Sequence, residues 1–325
     1  MPVGETQMGR GMLGSLPAWL RGAIMSLLLV ANTLFWAVPV YAAILLKLLS
    51  PRGRARDAAS RLTAALAQRW AMVNVVMVDA LLCIRWDLHI DADLSPSGQY
   101  LVCANHQSWN DIVVLLKTFG RKAPFFKFFI KQELIWVPVL GLAWWGLDYP
   151  FMKRYSKQAL DKNPALRGKD LETTREACAK YRNQPVMILN FLEGTRFTAE
   201  KHARTGSPYQ HLLKPKAGGF AFTLSALGER LNSLLDVTIV YPQGAMGFWD
   251  FLAGRVHHVV VEVRQLTIPH DLYVGDYEND AEFRARFQAW IGELWQAKDR
   301  RIGELLAEAG VRPYAVGISP DRTAA

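Results

Sequence analysis

A histidine and a carboxylate stand close together in Cys103-Ala104-Asn105-His106-Gln107-Ser108-Trp109-Asn110-Asp111, with four residues between His106 and Asp111. A carboxylate bonded to one ring nitrogen fixes the imidazole tautomer and supports the charge formed when the other nitrogen takes a proton. The chemistry implied is general base catalysis, which contributes typically about 10²–10⁴-fold in rate. With seven His and sixteen Asp in the chain, chance supplies such a spacing about 0.3 times, so the pair carries weight only in context. Taken alone it fits a satisfied loop histidine as readily. A second cluster is Phe191-Leu192-Glu193-Gly194-Thr195-Arg196. Gly194 permits an unusual turn, Thr195 supplies a hydroxyl, and Arg196 offers a two-pronged contact to a phosphate.

The backbone must bring these groups together. Five positions along a continuous helix rotate through about 500°, which would turn His106 and Asp111 apart. They meet only if His106 lies on a loop and Asp111 on the first turn of a helix opened by Trp109 or Asn110, with Asn110 suited to cap it. Short β-branched runs predict strands over 83–90, 100–104, 186–191, 237–241 and 257–266. Helical patterns fall at 109–118, 171–181, 217–227 and 281–309. The alternation reads as α/β, a mixed sheet flanked by helices. Both clusters then follow strands, where open α/β sheets place ligands, although a plain strand-ending turn would also account for residues 191–196.

The N-terminal region sets the surroundings. Residues 22–46 contain no charged side chain, and 25 residues of helix reach roughly 37 Å, more than the ~30 Å hydrocarbon core requires. Trp19, Trp36 and Tyr41 suit an interface, and Lys47, Arg52, Arg54, Arg56 and Arg61 follow the run, which places the bulk of the chain in the cytoplasm. The anchor is either one helix or a helical hairpin turned at Pro39. Residues 62–84, apolar but interrupted by Arg69 and Asp79, fit a helix in the interface or a core helix. The expected division is an anchor with a basic linker over 1–57, an α/β domain over 58–310 and a disordered tail over 311–325. Net charge is +9, which favours anionic partners. No nucleic-acid-binding pattern accompanies it, so acidic lipid or a phosphorylated substrate is the better match. Three cysteines at unrelated spacings give neither a disulfide framework nor a metal pattern. His257 and His258 alternate along a strand and cannot share a metal ion from it.

Together, the ordered blocks resemble the glycerolipid acyltransferase family that contains the 1-acylglycerol-3-phosphate acyltransferases. Asn105-His106 with Asp111 is similar to its histidine–four–aspartate block. Phe191-Leu192-Glu193-Gly194-Thr195-Arg196 is similar to its Phe-Pro-Glu-Gly-Thr-Arg block, with Leu192 in place of proline. Phe151 and Arg154 match a glycine–two–Phe–two–Arg block in which Asp148 replaces the glycine. Lys131, Glu133, Leu134, Pro138 and Gly141 match an intervening stretch. Residues 237–242, Val-Thr-Ile-Val-Tyr-Pro, depart from the family's proline-rich block and, with Asp236, look like the long-chain lysophospholipid acyltransferase branch and related bacterial inner-membrane proteins.

The resemblance implies that His106, oriented by Asp111, deprotonates the free hydroxyl of lysophosphatidate, which attacks the thioester of acyl-CoA or acyl-carrier protein. Phe151, Arg154, Glu193, Gly194, Thr195 and Arg196 would form the substrate pocket, Arg154 and Arg196 holding the phosphate. No cofactor or metal is called for, and the partners are the lysophospholipid, the acyl donor and the bilayer. Lys214 and Lys216 either assist or are surface lysines. Phe125, Phe126, Phe128 and Phe129 either line an acyl tunnel or pack the core, and Phe248, Trp249 and Phe251 are candidates to dip into lipid. Another acceptor such as lysophosphatidylglycerol, or an inactive lipid-binding protein, remains an alternative. A hydrolase using Ser108 is disfavoured, because no Gly-x-Ser-x-Gly elbow surrounds it.

Overall fold

A computed structural model describes residues 11–152, 178, 180–181, 184–228, 231, 233–273 and 275–311. The predicted helix at 171–181 and the predicted tail lie almost entirely outside these residues. Six strands form one sheet in the order β1-β8-β7-β2-β6-β3. They are β1 (Arg85–Asp91), β2 (Gln99–Ala104), β3 (Phe126–Phe128), β6 (Val186–Phe191), β7 (Ser233–Val240) and β8 (His258–Leu266). β7, β2, β6 and β3 run parallel, whereas β8 is antiparallel to β7 and carries β1 parallel to itself. Two short strands, β4 (Ile130–Lys131) and β5 (Phe151–Met152), pair separately.

Helices cover both faces, which is why β7 is buried at every residue. On one face Leu101, Cys103 and Leu234 pack against α6 (Ala217–Leu227) and α8 (Ala281–Glu308). On the other, Val102, Ala104, Leu235 and Val237 pack with α1 (Ala18–Leu49), α2 (Arg54–Leu81), α3 (Asp111–Phe119) and α7 (Phe248–Leu252). β7 begins four residues before its predicted start. Ser233 and Asp236 broke the apolar run in sequence, yet Asp236 is fully buried, with Lys298 at 2.5 Å and Arg264 at 2.7 Å.

α1 runs unbroken through Pro39, so no hairpin turns there. The hairpin is made instead by α1 and α2, which turn at residues 50–53 and are joined by Asn32 Nδ2 donating to Asn74 Oδ1 at 2.7 Å and Trp70 Nε1 donating to Thr33 Oγ1 at 3.2 Å. Arg54 and Arg56, expected in a linker, already belong to α2. α1 touches the α/β body near both ends. Gly22 lies so close to Trp249 that a Cβ there would meet the indole at 3.0 Å, and Lys47 pairs with Asp148 at 2.5 Å. α1 therefore lies along the domain rather than projecting from it. Phe251 is buried, and Phe248 and Trp249 are partly exposed beside α1.

Candidate active site

The C-terminal ends of parallel strands β2 and β6 converge on one loop pair. Asn105 extends the sheet with its side chain, Nδ2 donating to Ile239 O at 2.9 Å and Oδ1 accepting from Ile239 N at 2.8 Å. His106 follows on the loop and Asp111 opens α3, so the expected loop-then-helix arrangement holds. His106 Nδ1 and Asp111 Oδ2 are 2.8 Å apart. The same oxygen accepts the backbone N–H groups of Gln107 at 2.7 Å and Ser108 at 3.0 Å. Asn110 occupies the cap position but makes no side-chain cap. Its Nδ2 donates instead to Met246 O at 3.1 Å, and Asp111 satisfies the loop amides. An ionised carboxylate only accepts, so Nδ1 carries the proton toward it and Nε2 is left as the basic nitrogen. The ring stacks on Phe191 with centroids 4.0 Å apart and keeps 16% of its side chain exposed, whereas Asp111 is fully buried.

Sequence reasoning missed three members of this site. Tyr241, just past β7, donates its hydroxyl to Asp111 Oδ1 at 2.7 Å. Burial, followed by the Asp111 charge, holds its phenol well above the ordinary value. The signal was its place at the end of a strand parallel to β2. Phe191 was read only as part of a motif. Lys201, on α5 (Ala199–Thr205), donates to Thr195 Oγ1 at 2.8 Å and to Arg196 O at 3.0 Å.

The loop after β6 is locked onto the loop after β2. Glu193 Oε1 accepts the His106 backbone N–H at 2.7 Å and Oε2 accepts that of Leu213 at 2.9 Å, while Phe197 N donates to His106 O at 2.7 Å. Glu193 is 1% exposed, so it shapes the pocket from beneath rather than facing an incoming anion. Burial pushes its carboxyl up to about 7, with the nearby Asp111 charge adding to that and the two amides opposing it. Gly194 has φ of +67°, the left-handed region that favours glycine, and the Lys216 side chain passes over it, within 3.0 Å of where a Cβ would sit. The guanidinium of Arg196 lies 4.8 Å from the Trp109 ring centre.

The structure thus brings His106, Asp111, Glu193, Gly194, Thr195 and Arg196 together. Phe151 sits on β5 and packs with Ile130, Leu147 and Tyr149 in a separate apolar cluster. Arg154 lies outside the described residues. Asp148, standing where the resemblance expects glycine, has φ of +59°, in the left-handed region that glycine adopts most readily. Phe125, Phe126 and Phe128 line an apolar cavity of about 130 Å³ between α1, α2, α3 and α4 (Leu140–Gly146), walled also by Trp36, Ile112 and Leu116. Phe129 instead packs toward the α6–α8 core. Among the described residues no group of three or more His, Cys, Asp and Glu side chains could hold a metal.

The mixed α/β sheet thus carries an imidazole–carboxylate pair at the ends of its parallel strands, beside the Gly194–Arg196 loop. Residues 85–242 match the family model described as Acyltransferase. Relatives include human 1-acyl-sn-glycerol-3-phosphate acyltransferase delta, 28% identical over 207 residues that cover 60% of this chain and 49% of that protein. Lysocardiolipin acyltransferase 1 of Danio rerio is 26% identical over 306 residues, covering 87% of this chain and 70% of that protein. The crystal structure of the 1-acyl-sn-glycerophosphate (LPA) acyltransferase PlsC from Thermotoga maritima is similar at 17% identity with a TM-score of 0.49, covering 88% of this chain and 97% of that one. Over residues 85–242 this chain is similar to the acyltransferase family, and its relatives include 1-acylglycerol-3-phosphate and lysocardiolipin acyltransferases. It spans about half the length of the delta enzymes that it matches.

Proposed function

We propose that the chain transfers a fatty acyl group from acyl-CoA or acyl-carrier protein to the free hydroxyl of lysophosphatidate at a membrane surface. The observation that carries this reading is the 2.8 Å contact between His106 Nδ1 and Asp111, which leaves Nε2 to work as the base on a ring that is partly exposed. Nε2 takes the hydroxyl proton, the oxygen attacks the thioester carbonyl, and collapse of the adduct expels the thiolate, which recovers that proton. Arg196, with Lys216 over Gly194, supplies positive charge for the acceptor phosphate. The apolar cavity beside α3 takes an acyl chain, since its lining is aromatic and aliphatic apart from Thr33.

α1 lies in the membrane plane rather than across it. What supports this is that α1 is fixed to the domain near both ends, which keeps it alongside the domain, while its most apolar window is only 11% buried and so open to lipid. The cytoplasmic face of a bacterial inner membrane suits the donor thioesters. A second reading, in which the acceptor is a different lysophospholipid, draws support from the lysocardiolipin acyltransferase relative, the broader of the two alignments.

Purified protein offered labelled oleoyl-CoA or labelled oleoyl-acyl-carrier protein with a panel of lysophospholipids tests both readings. Transfer to lysophosphatidate above all other acceptors is expected. Preference for lysophosphatidylglycerol establishes the second reading, and no transfer to any acceptor from either donor overturns both. Arg196→Ala should raise KM for the phosphate-bearing acceptor with little change in kcat, and an unchanged KM removes its phosphate role.

A further inference from the structure

Residues 134–147, Leu-Ile-Trp-Val-Pro-Val-Leu-Gly-Leu-Ala-Trp-Trp-Gly-Leu, form an uncharged stretch between Glu133 and Asp148. A run of about 10–14 apolar residues is too short to span a bilayer and is either a buried core segment or an interfacial one. Exposure separates the two. Trp136 is 86% exposed, Leu142 60% and Trp145 47%, and Pro138 is exposed beside them. The opposite side of the same segment is apolar as well, because Leu140, Ala143 and Trp144 line the cavity. A helix at a water-facing surface shows polar residues outward. This one shows tryptophan and leucine.

The segment is rigid rather than a loose loop. Val139 holds φ at +65°, and a Cβ on Gly141 would fall 1.9 Å from Ile135 O, so the chain folds back on itself tightly there. It is also fixed to α1. Tyr41 donates its hydroxyl to Val139 O at 2.5 Å, Lys47 Nζ donates to Gly146 O at 2.8 Å, and Ile44 packs where a Gly146 side chain would be. The neighbouring part of α1 exposes Leu45, Leu46 and Leu49. The aromatic edge is therefore continuous with the surface already assigned to lipid, and indole is the side chain most at home at the boundary between headgroups and acyl chains.

We propose that residues 134–147 are a second bilayer-contacting element, a short re-entrant segment that seats Trp136, Leu142 and Trp145 in the same leaflet as α1. α4 is then a wall one helix thick between the lipid and the apolar cavity. The proposal rests on the membrane placement of α1 and is independent of the catalytic chemistry.

The test uses full-length protein carrying Cys83→Ser, since Cys103 and Cys178 are buried. Single cysteines replace Leu142, Trp145, Phe35 on α1, or Gln296 on the opposite face of the sheet. Each is nitroxide-labelled and bound to phosphatidylethanolamine–phosphatidylglycerol vesicles. Labels at 142 and 145 should behave as the label at 35 does, gaining collisions with lipid-dissolved oxygen and losing collisions with an aqueous nickel chelate, at a depth of ~5–10 Å. The label at 296 should stay aqueous. If 35 enters lipid while 142 and 145 track 296, this inference fails and the α1 reading stands; if 35 also stays aqueous, both fail. Labels at 142 and 145 shielded from both reagents, in detergent as in vesicles, would mean that a second copy covers the patch and would overturn the proposal.

Discussion

Two carboxylates in this protein, Asp111 and Asp236, are both fully buried, and each grips a nitrogen base, yet they do different work. Asp236 sits mid-strand on β7, between Lys298 of α8 at 2.5 Å and Arg264 of β8 at 2.7 Å. Lys298 is itself fully buried and also donates to Val237 O at 2.6 Å. The outer partner of Asp236, Arg264, keeps 34% of its side chain exposed, but a guanidinium has no free lone pair with which to take a proton. Asp111 sits at a strand end, and its partner ring keeps 16% of its side chain exposed. Its other bonds come from neutral donors, two amides and a phenol. A carboxylate clamped between a lysine and an arginine holds elements together, whereas one behind a partly exposed imidazole can support proton transfer.

The sharpest break of that comparison is His106→Ala. Loss of the base should lower kcat by at least about 10²–10⁴-fold while the melting temperature stays near that of the parent. Retained turnover would dismiss the base assignment. Lys298→Met should do the reverse. Stranding Asp236 without its sealed partner costs about 3–5 kcal/mol, which lowers Tm by roughly 10 °C in a domain of this size. Calorimetry beside KM on the folded fraction checks this, and a KM that moves with Tm would place Lys298 in the site after all.

Glu193 lies between the two kinds. Its two oxygens clamp the His106 and Leu213 amides, and burial pushes its carboxyl up to about 7. The folded value thus exceeds the unfolded one of about 4.3, so the folded chain holds an extra proton between them. That contribution to stability is complete below about pH 4.3 and is lost as pH rises through about 7. Glu193→Gln removes the titration and leaves one amide facing an NH₂ group. Its Tm should be lower throughout, but should fall less steeply than the parent's between about pH 5 and pH 7. Parallel curves would show that this carboxyl does not titrate there.

Much of this was legible in the residues. The order of β2, loop and α3 followed from the geometry that His106 and Asp111 need, and the bounds of α6 and β6 followed from their apolar runs. What escaped reading depended on partners distant in sequence. The start of β7 was hidden because Asp236 looks like a strand breaker until Lys298, 62 positions later, neutralises it. Asn110 stands at the cap position of α3 as read, but its side chain bonds Met246 O, and only the folded loop shows that Asp111 Oδ2 reaches back to the Gln107 and Ser108 amides. Pro39 left a turn open as one of two alternatives, and α1 runs through it with α2 and the domain alongside. Tyr241 was read only as part of the 237–242 block, because its bond to Asp111 depends on β7 ending beside β2.

Tyr241 offers the finest cut, since it is as buried as anything near Asp236 but bonds to the other carboxylate. Tyr241→Phe keeps the ring and removes only the donor to Asp111 Oδ1. Leaving that oxygen unpaired costs about 1–3 kcal/mol. If the hydroxyl serves only to satisfy a buried acceptor, the whole cost falls on folding, and Tm drops with kcat unchanged. If it holds the carboxylate in the orientation that His106 needs, part of the cost appears in the transition state, and kcat should fall about tenfold, the equivalent of ~1.4 kcal/mol. The second outcome is expected, because Oδ2 is already shared among His106 Nδ1 and two amides, and Tyr241 is the contact recorded on Oδ1 that keeps the carboxyl plane from turning. Steady-state kinetics beside a melting curve decides between them. A loss of stability alone would move Tyr241 from the company of Asp111 to that of Asp236.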